Sequence, residues 1–296
     1  MKKPTTADGY TPDMLEVVRS TCLTIATVLG DLMEEIVIVG GLVPSLLLDA
    51  DVAPDDPYGP HVGTADVDVA LSVTLLNEER YKEVSEKLRR AGFEPDEKES
   101  GRKTRHRWKM SRGGKVGTVE FLMEPVEPDQ TGGKIQSLEG DFGAVTMRGM
   151  HLAFQDVERV TFKGTTLKGD TAERSVKVCG PGAFVILKAL AIQGRSEPKD
   201  AYDIFMVLRN YKDGAASVAA RLVPLHDDED VNHGLEILES NFGKATDTGP
   251  SRMARFLRRE DDQDLREDVV SYVRRFLSEV KRGAPGSSST SSGPRS

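Results

Sequence analysis

Two carboxylates one residue apart are where chemistry first becomes readable in this chain. In Thr64-Ala-Asp66-Val-Asp68-Val-Ala-Leu71 the surrounding residues are mostly apolar, a pattern that predicts a buried strand. Successive strand side chains point in opposite directions, so Asp66 and Asp68 share one face and Val67 and Val69 the other. Like charges held that close repel unless a divalent cation or a shared proton compensates. The oxygens suit Mg²⁺, which is commonly held by one or two carboxylates together with substrate phosphates. A metal and a nucleotide are the chemistry that fits. A strand end capped by Asp66, with Asp68 in water, accounts for the same residues without chemistry.

Glu120 adds a third acid. It interrupts the apolar run Val119-Glu120-Phe121-Leu-Met123, and a lone carboxylate there asks for a partner. If its strand lies beside the one carrying Asp66 and Asp68, it completes a three-carboxylate cluster and is placed to act as general base. An ion pair to nearby arginines explains it equally well. The run Ile36-Val-Ile-Val39 ends in Gly40-Gly41. Two glycines let the backbone approach a ligand, and the N–H groups of a helix starting there attract phosphate, with Ser45 available to help. A plain turn is the alternative.

These residues need elements to position them. Residues 11 to 33 read as an amphipathic helix, capped by Thr11 before Pro12, with Val18, Cys22, Ile25, Leu29 and Leu32 at helical spacing. A strand at 36 to 39 and a short helix from Leu42 to Asp49 follow. Residues 50 to 60, rich in Asp and Pro, predict an exposed inserted loop with no assigned role. A helix is expected from Asn77 to about 91, and a strand around Phe93.

The window from Gly101 to Lys115 contains Arg102, Lys103, Arg105, Arg107, Lys109, Arg112 and Lys115 without an acid. Alternation puts Arg105, Arg107 and Lys109 on one face, and His106, Trp108 and Met110 on the other. A phosphate-rich substrate or a solvated strand face beside acidic neighbours fits that pattern. From Pro125 to about Lys177 the chain reads as irregular, with short β-like segments at 157 to 163 and 174 to 178. A helix starts at Cys179-Gly-Pro181 and runs to about Gln193, and a second begins near Pro198. Lys188 and Arg195 share a side if the first helix continues through Gly194, and Lys199 and Asp203 form a pair one turn apart. Residues 213 to 282 are helical in pattern, the last helix carrying Leu265, Val269, Val273, Phe276 and Val280 as an apolar stripe. The Ser, Gly and Pro residues from 283 to 296 predict a disordered tail.

Composition narrows the class. With 296 residues the chain suffices for one large domain or two smaller ones. A net charge of −8 argues against wholesale electrostatic binding to nucleic acid but leaves room for a local basic patch. Only Cys22 and Cys179 are present, so neither a disulfide framework nor a Cys-based zinc site is expected, and a reducing cytoplasm is the expected location. No apolar core follows Met-Lys-Lys and no long uncharged run exists, so neither secretion nor a membrane partner is expected.

In order along the chain, Gly40-Gly41, Asp66-x-Asp68, Glu120, Lys188, Arg195 and Lys199-Asp200-x-x-Asp203 resemble the nucleotidyltransferase superfamily. The Thr64-Ala-Asp66-Val-Asp68 segment and the basic helix pair are similar to the AbiEii-type and MenT-type toxins of type IV toxin–antitoxin systems. The resemblance covers about 33 to 210. It implies an α/β (α+β) fold with a mixed β-sheet flanked by helices and a helical C-terminal part. That gives a catalytic domain over 1–178 and a helical domain over 179–282.

It also implies transfer of a nucleoside monophosphate from an NTP, with Mg²⁺, two ions by analogy, held by Asp66, Asp68 and Glu120. Lys188, Arg195 and Lys199 would contact the triphosphate, and Lys188 would join the carboxylates in the catalytic set. Gly40, Gly41, Ser45 and Thr64 complete the nucleotide-binding set, and Asp200 and Asp203 hold the cations or the helix pair in place. The acceptor would be tRNA or protein, and a cognate antitoxin the partner. Two features depart from the family: the spacing from Gly41 to Asp66 is longer, and Glu stands at 120 where Asp is commoner. A catalytically silent nucleotide- or partner-binding module on the same fold, and a small-molecule nucleotidyltransferase, are the alternatives.

Overall fold

The computed structural model describes residues 3–49, 53, 55–72, 78–127 and 132–283. The expected tail beyond 283 and the expected helix start at Asn77 lie outside the described residues. In chain order the elements are α1 (Pro12–Leu29), β1 (Ile36–Val39), α2 (Val43–Leu47), β2 (Val67–Leu71), α3 (Glu78–Ala91), β3 (Glu94–Glu97), β4 (Lys103–Arg112) and β5 (Lys115–Met123). Then come β6 (Ile135–Glu139), β7 (Phe142–Thr146), α4 (Leu152–Gln155), β8 (Val157–Thr165) and β9 (Thr171–Cys179). The rest is helical: α5 (Pro181–Gly194), α6 (Pro198–Asn210), α7 (Ala215–Ala220), α8 (Glu229–Asn241), α9 (Thr248–Phe256) and α10 (Gln263–Gly283).

The strands form one mixed sheet in the order β3-β4-β5-β2-β1-β9-β8, with β7 also paired to β5 and β6 to β7. Its centre carries the acids. β1 runs antiparallel to β2 with Val39 opposite Asp68, and β2 runs parallel to β5 with Asp68 opposite Glu120. Strands this central are covered on both faces, which is why β1 is Ile-Val-Ile-Val and fully buried. α1 begins as expected, Thr11 accepting from the Met14 N–H at 3.2 Å, and packs across β5, β8 and β9. It stops short of residue 33 because Gly30 takes φ +58 and the chain tightens into a 3-10 turn.

The middle of the chain is more regular than expected, although the β-like segments at 157 to 163 and 174 to 178 are strands as expected. β6 and β7 form a hairpin, and β8 pairs with β9 along its length, from Val157 opposite Cys179 to Thr165 opposite Thr171. β9 then lies parallel to β1. Apolar alternation is weak there because Phe162 alone of the β8 residues is buried; the backbone ladder itself supplies the order, and a ladder leaves no mark in composition.

His151 joins the sheet to the helical part. Its ring lies 3.2 Å from Glu124 at the end of β5 and 2.9 Å from Asp228 at the start of α8. The bond to Glu124, joined by Asp228, pushes the imidazole up to about 9. A folded value above the unfolded 6.5 means that this contribution is complete below about pH 6.5 and is lost as pH rises through about 9. His151→Gln is therefore expected to cost about 1 kcal/mol in urea unfolding at pH 6, a figure already discounted for solvent screening, and next to nothing at pH 10. An equal cost at both pH values would assign His151 to packing alone.

Candidate active site

The turn after β1 is tight for reasons internal to the chain. Gly40 has φ +68, and a Cβ there would collide with the Asp68 carboxylate. At Gly41 a Cβ would stand 2.6 Å from the Thr64 hydroxyl oxygen. The two glycines thus admit Asp68 and Thr64 to the wall of a cleft, whose lining includes Gly40, Gly41, Thr64, Asp68, Glu120 and Lys188. The helix that follows is only five residues long. Ser45, grouped with the nucleotide-binding residues on sequence, is not part of that lining. α2 turns its hydroxyl toward His61, 3.4 Å from Nδ1.

Asp66, Asp68 and Glu120 each offer an oxygen, all within 4.8 Å of one another. Asp66 stands immediately before β2 with its carboxylate on the same side as that of Asp68, and the parallel register with β5 brings Glu120 beside Asp68. Burial, reinforced by the Asp66 charge, pushes the Asp68 carboxyl up to about 7. Glu120 is held below its ordinary range despite burial, because His106 stands 3.4 Å from it. Among the described residues, the Lys3 ammonium lies 2.9 Å from Asp66 Oδ2, while the buried Asp66 Oδ1 accepts no hydrogen bond. Burial opposes the Lys3 charge, but Asp68 and Asp66 hold its ammonium above the ordinary range.

The basic strand differs from simple alternation. Arg107 is the register partner of Glu120, yet it pairs with Asp96 at 3.3 Å, as does Lys109. His106 takes the place beside Glu120. In the same stretch of β4 the Thr104 hydroxyl donates to the Arg107 carbonyl at 2.6 Å and the Trp108 indole to the Arg105 carbonyl at 3.1 Å. Trp108 and Met110 are buried as expected, while Arg102, Lys103, Arg105 and Arg112 stay exposed.

Across the cleft the cations are already compensated. Lys188 lies 2.9 Å from Asp200 and 2.7 Å from Asp203, and Lys199 lies 2.5 Å from Asp203. α5 ends at Gly194, so Arg195 does not continue the helix; its extended backbone still aims the guanidinium at Asp200 with two bonds of 2.8 Å. Burial works against charge at Asp200 and Asp203, but Lys188 with Arg195 or Lys199 holds both carboxyls below their usual range. Burial pulls the Lys199 ammonium below its own.

His61 joins this group without having been singled out on sequence. Its Nδ1 accepts the Gly63 N–H at 3.1 Å, so Nε2 carries the proton that goes to Asp203 at 2.8 Å. Burial, then Lys199, pushes the imidazole down to about 4. The described part of the inserted loop packs outward from here, Tyr58 against Phe205 of α6 and Asp56 on Arg209 at 2.6 Å. His61, His106 and Lys3 carry no local signal: each is a single residue whose partner is distant in sequence.

Buried acids on one wall and neutralised cations on the other suit a ligand that brings phosphates and divalent cations together, the situation met in nucleotidyltransferases. The family model for the nucleotidyl transferase AbiEii toxin of type IV toxin–antitoxin systems matches residues 58–287, and the chain belongs to that family. The matched span holds the three carboxylates and both basic helices and begins after the glycine turn. Comparison with curated proteins finds no match. Among the described residues no helix is long and apolar enough to cross a membrane.

Proposed function

We propose that this chain is a cytoplasmic toxin that moves a nucleoside monophosphate from an NTP to a hydroxyl of tRNA or protein, countered by a cognate antitoxin. The observation that carries the reading is the meeting of Asp66, Asp68 and Glu120 within 4.8 Å of one another. An all-oxygen donor set in which the buried Asp66 Oδ1 accepts no hydrogen bond fits Mg²⁺. When bound, a pair of such ions supplies charge stabilisation to the attacking and leaving oxygens of an in-line displacement.

Asp66 and Asp68 hold the metal. Glu120, kept ionised at neutral pH, shares it and accepts the proton of the acceptor hydroxyl at a carboxylate oxygen. Lys188, Lys199 and the half-exposed Arg195 orient the triphosphate with Thr64 and the Gly40-Gly41 backbone, and Asp200 and Asp203 keep those cations in place. The exposed Arg102, Lys103, Arg105 and Arg112 favour a nucleic-acid acceptor, since phosphate contacts supply most non-specific affinity.

The test is incubation with each labelled NTP, Mg²⁺, total tRNA and cell lysate, read on a denaturing gel. A labelled band of tRNA or protein size is expected, absent with a chelator and absent with Asp66→Asn. NTP binding by calorimetry without pyrophosphate release would instead identify a silent nucleotide-binding module. A labelled small molecule would move the acceptor to another class.

A further inference from the structure

The Lys3 ammonium stands where a cation is wanted. It is 2.9 Å from Asp66 Oδ2, and the Asp66, Asp68 and Glu120 oxygens lie so close together that an ammonium and a divalent cation cannot share them without strong repulsion. The segment behind it is anchored at one end only. Tyr10 is fixed, with Lys199 Nζ 5.6 Å from its ring centroid and Phe256 packed at 5.9 Å, and Thr11 caps α1. From Tyr10 back to Lys3 the contacts are few, with Ala7 half-buried against the core. The Tyr10 hydroxyl donates to the Pro4 carbonyl at 3.2 Å, Thr6 bonds Asp8 locally, and Asp8 meets Arg258 at 3.1 Å between two exposed side chains. Exposed pairs of that kind hold little, and segments with few buried contacts open first.

We propose that residues 3–9 form a displaceable plug, the Lys3 ammonium filling the cation position of Asp66, Asp68 and Glu120, so that a divalent cation and Lys3 compete for the same carboxylates. This rests on the metal reading above. The plug prevents metal loading while it is seated, and it leaves by swinging about Tyr10 without unfolding α1. A plug seated about nine-tenths of the time weakens apparent metal affinity about tenfold.

The test measures binding directly, as Mn²⁺ added to the full chain without NTP and followed by the electron paramagnetic resonance signal of the free ion. Lys3→Met is expected to tighten Mn²⁺ binding about tenfold, and Lys3→Arg, which keeps the charge, to bind as the unmodified chain does. Asp66→Asn should weaken binding and cancel the gain when combined with Lys3→Met. Equal or weaker binding by Lys3→Met overturns the plug, while the loss with Asp66→Asn still supports the metal site. If neither the unmodified chain nor Lys3→Met binds Mn²⁺, both readings fall.

Discussion

Asp68→Asn is expected to lower nucleotidyl transfer by about a thousandfold or more while leaving the protein folded and slightly more heat-stable in a chelator. The two effects have one cause. Asp68 is opposite Glu120 in the ladder and within reach of Asp66, and burial with the Asp66 charge already pushes it up to about 7. Asparagine keeps the shape, loses one ligand charge and relieves the repulsion. A thousandfold corresponds to about 4 kcal/mol of transition-state stabilisation, within what metal-held charge supplies. The stability gain should be about 1 kcal/mol, a rise of roughly 2–4 °C in melting temperature for a chain of this size class. Label transfer and a melting curve in EDTA check the pair. Activity kept within tenfold would remove Asp68 from the reaction, and a collapse of the melting transition would show that the residue is structural.

The second large effect is on stability. Asp203 has no exposed surface and is surrounded by Lys188 at 2.7 Å, Lys199 at 2.5 Å and His61 at 2.8 Å. Asp203→Asn leaves Lys188 with Asp200 alone and takes from Lys199 the carboxylate it pairs with, and breaking a buried pair in that way costs about 3–5 kcal/mol. Urea unfolding at neutral pH is the measurement. Adding Lys199→Met should recover a substantial part of the loss, because the cation that lost its partner is removed too. A loss below about 1 kcal/mol, or no recovery in the double variant, would mean that water reaches these groups and that the cluster does not lock α5 to α6.

These expectations separate two kinds of information. Alternation in Val67-Asp68-Val69 is enough to place Asp66 and Asp68 together, and the prolines at 12, 181 and 198 mark helix starts to within a few residues, whereas the stop at Gly30 falls inside the helix expected over 11 to 33. Such features depend on neighbours a few positions away, and there the physics is local. The family likeness, carried by residue types in order along the chain, was legible for the same reason.

Other features come from pairings between distant segments. That β2 lies parallel to β5 with Asp68 opposite Glu120 depends on how the whole sheet packs under α1, and no neighbour of Glu120 encodes it. The β-like segments at 157 to 163 and 174 to 178 are strands, but that they pair with each other as a hairpin is not encoded by either segment alone. Arg195 reaches Asp200 although its helix has ended, since an extended residue can aim a long side chain where a helical one cannot. His106 meets Glu120 at 3.4 Å while Arg107, the register partner of Glu120, pairs with Asp96. His61 and Lys3 enter by way of a loop and a terminal segment. By itself the sequence determined which residues could do chemistry and on which face of a strand they lie. Only the tertiary structure decided which of them meet, because strand register and the burial of charge are settled by packing across the whole sheet.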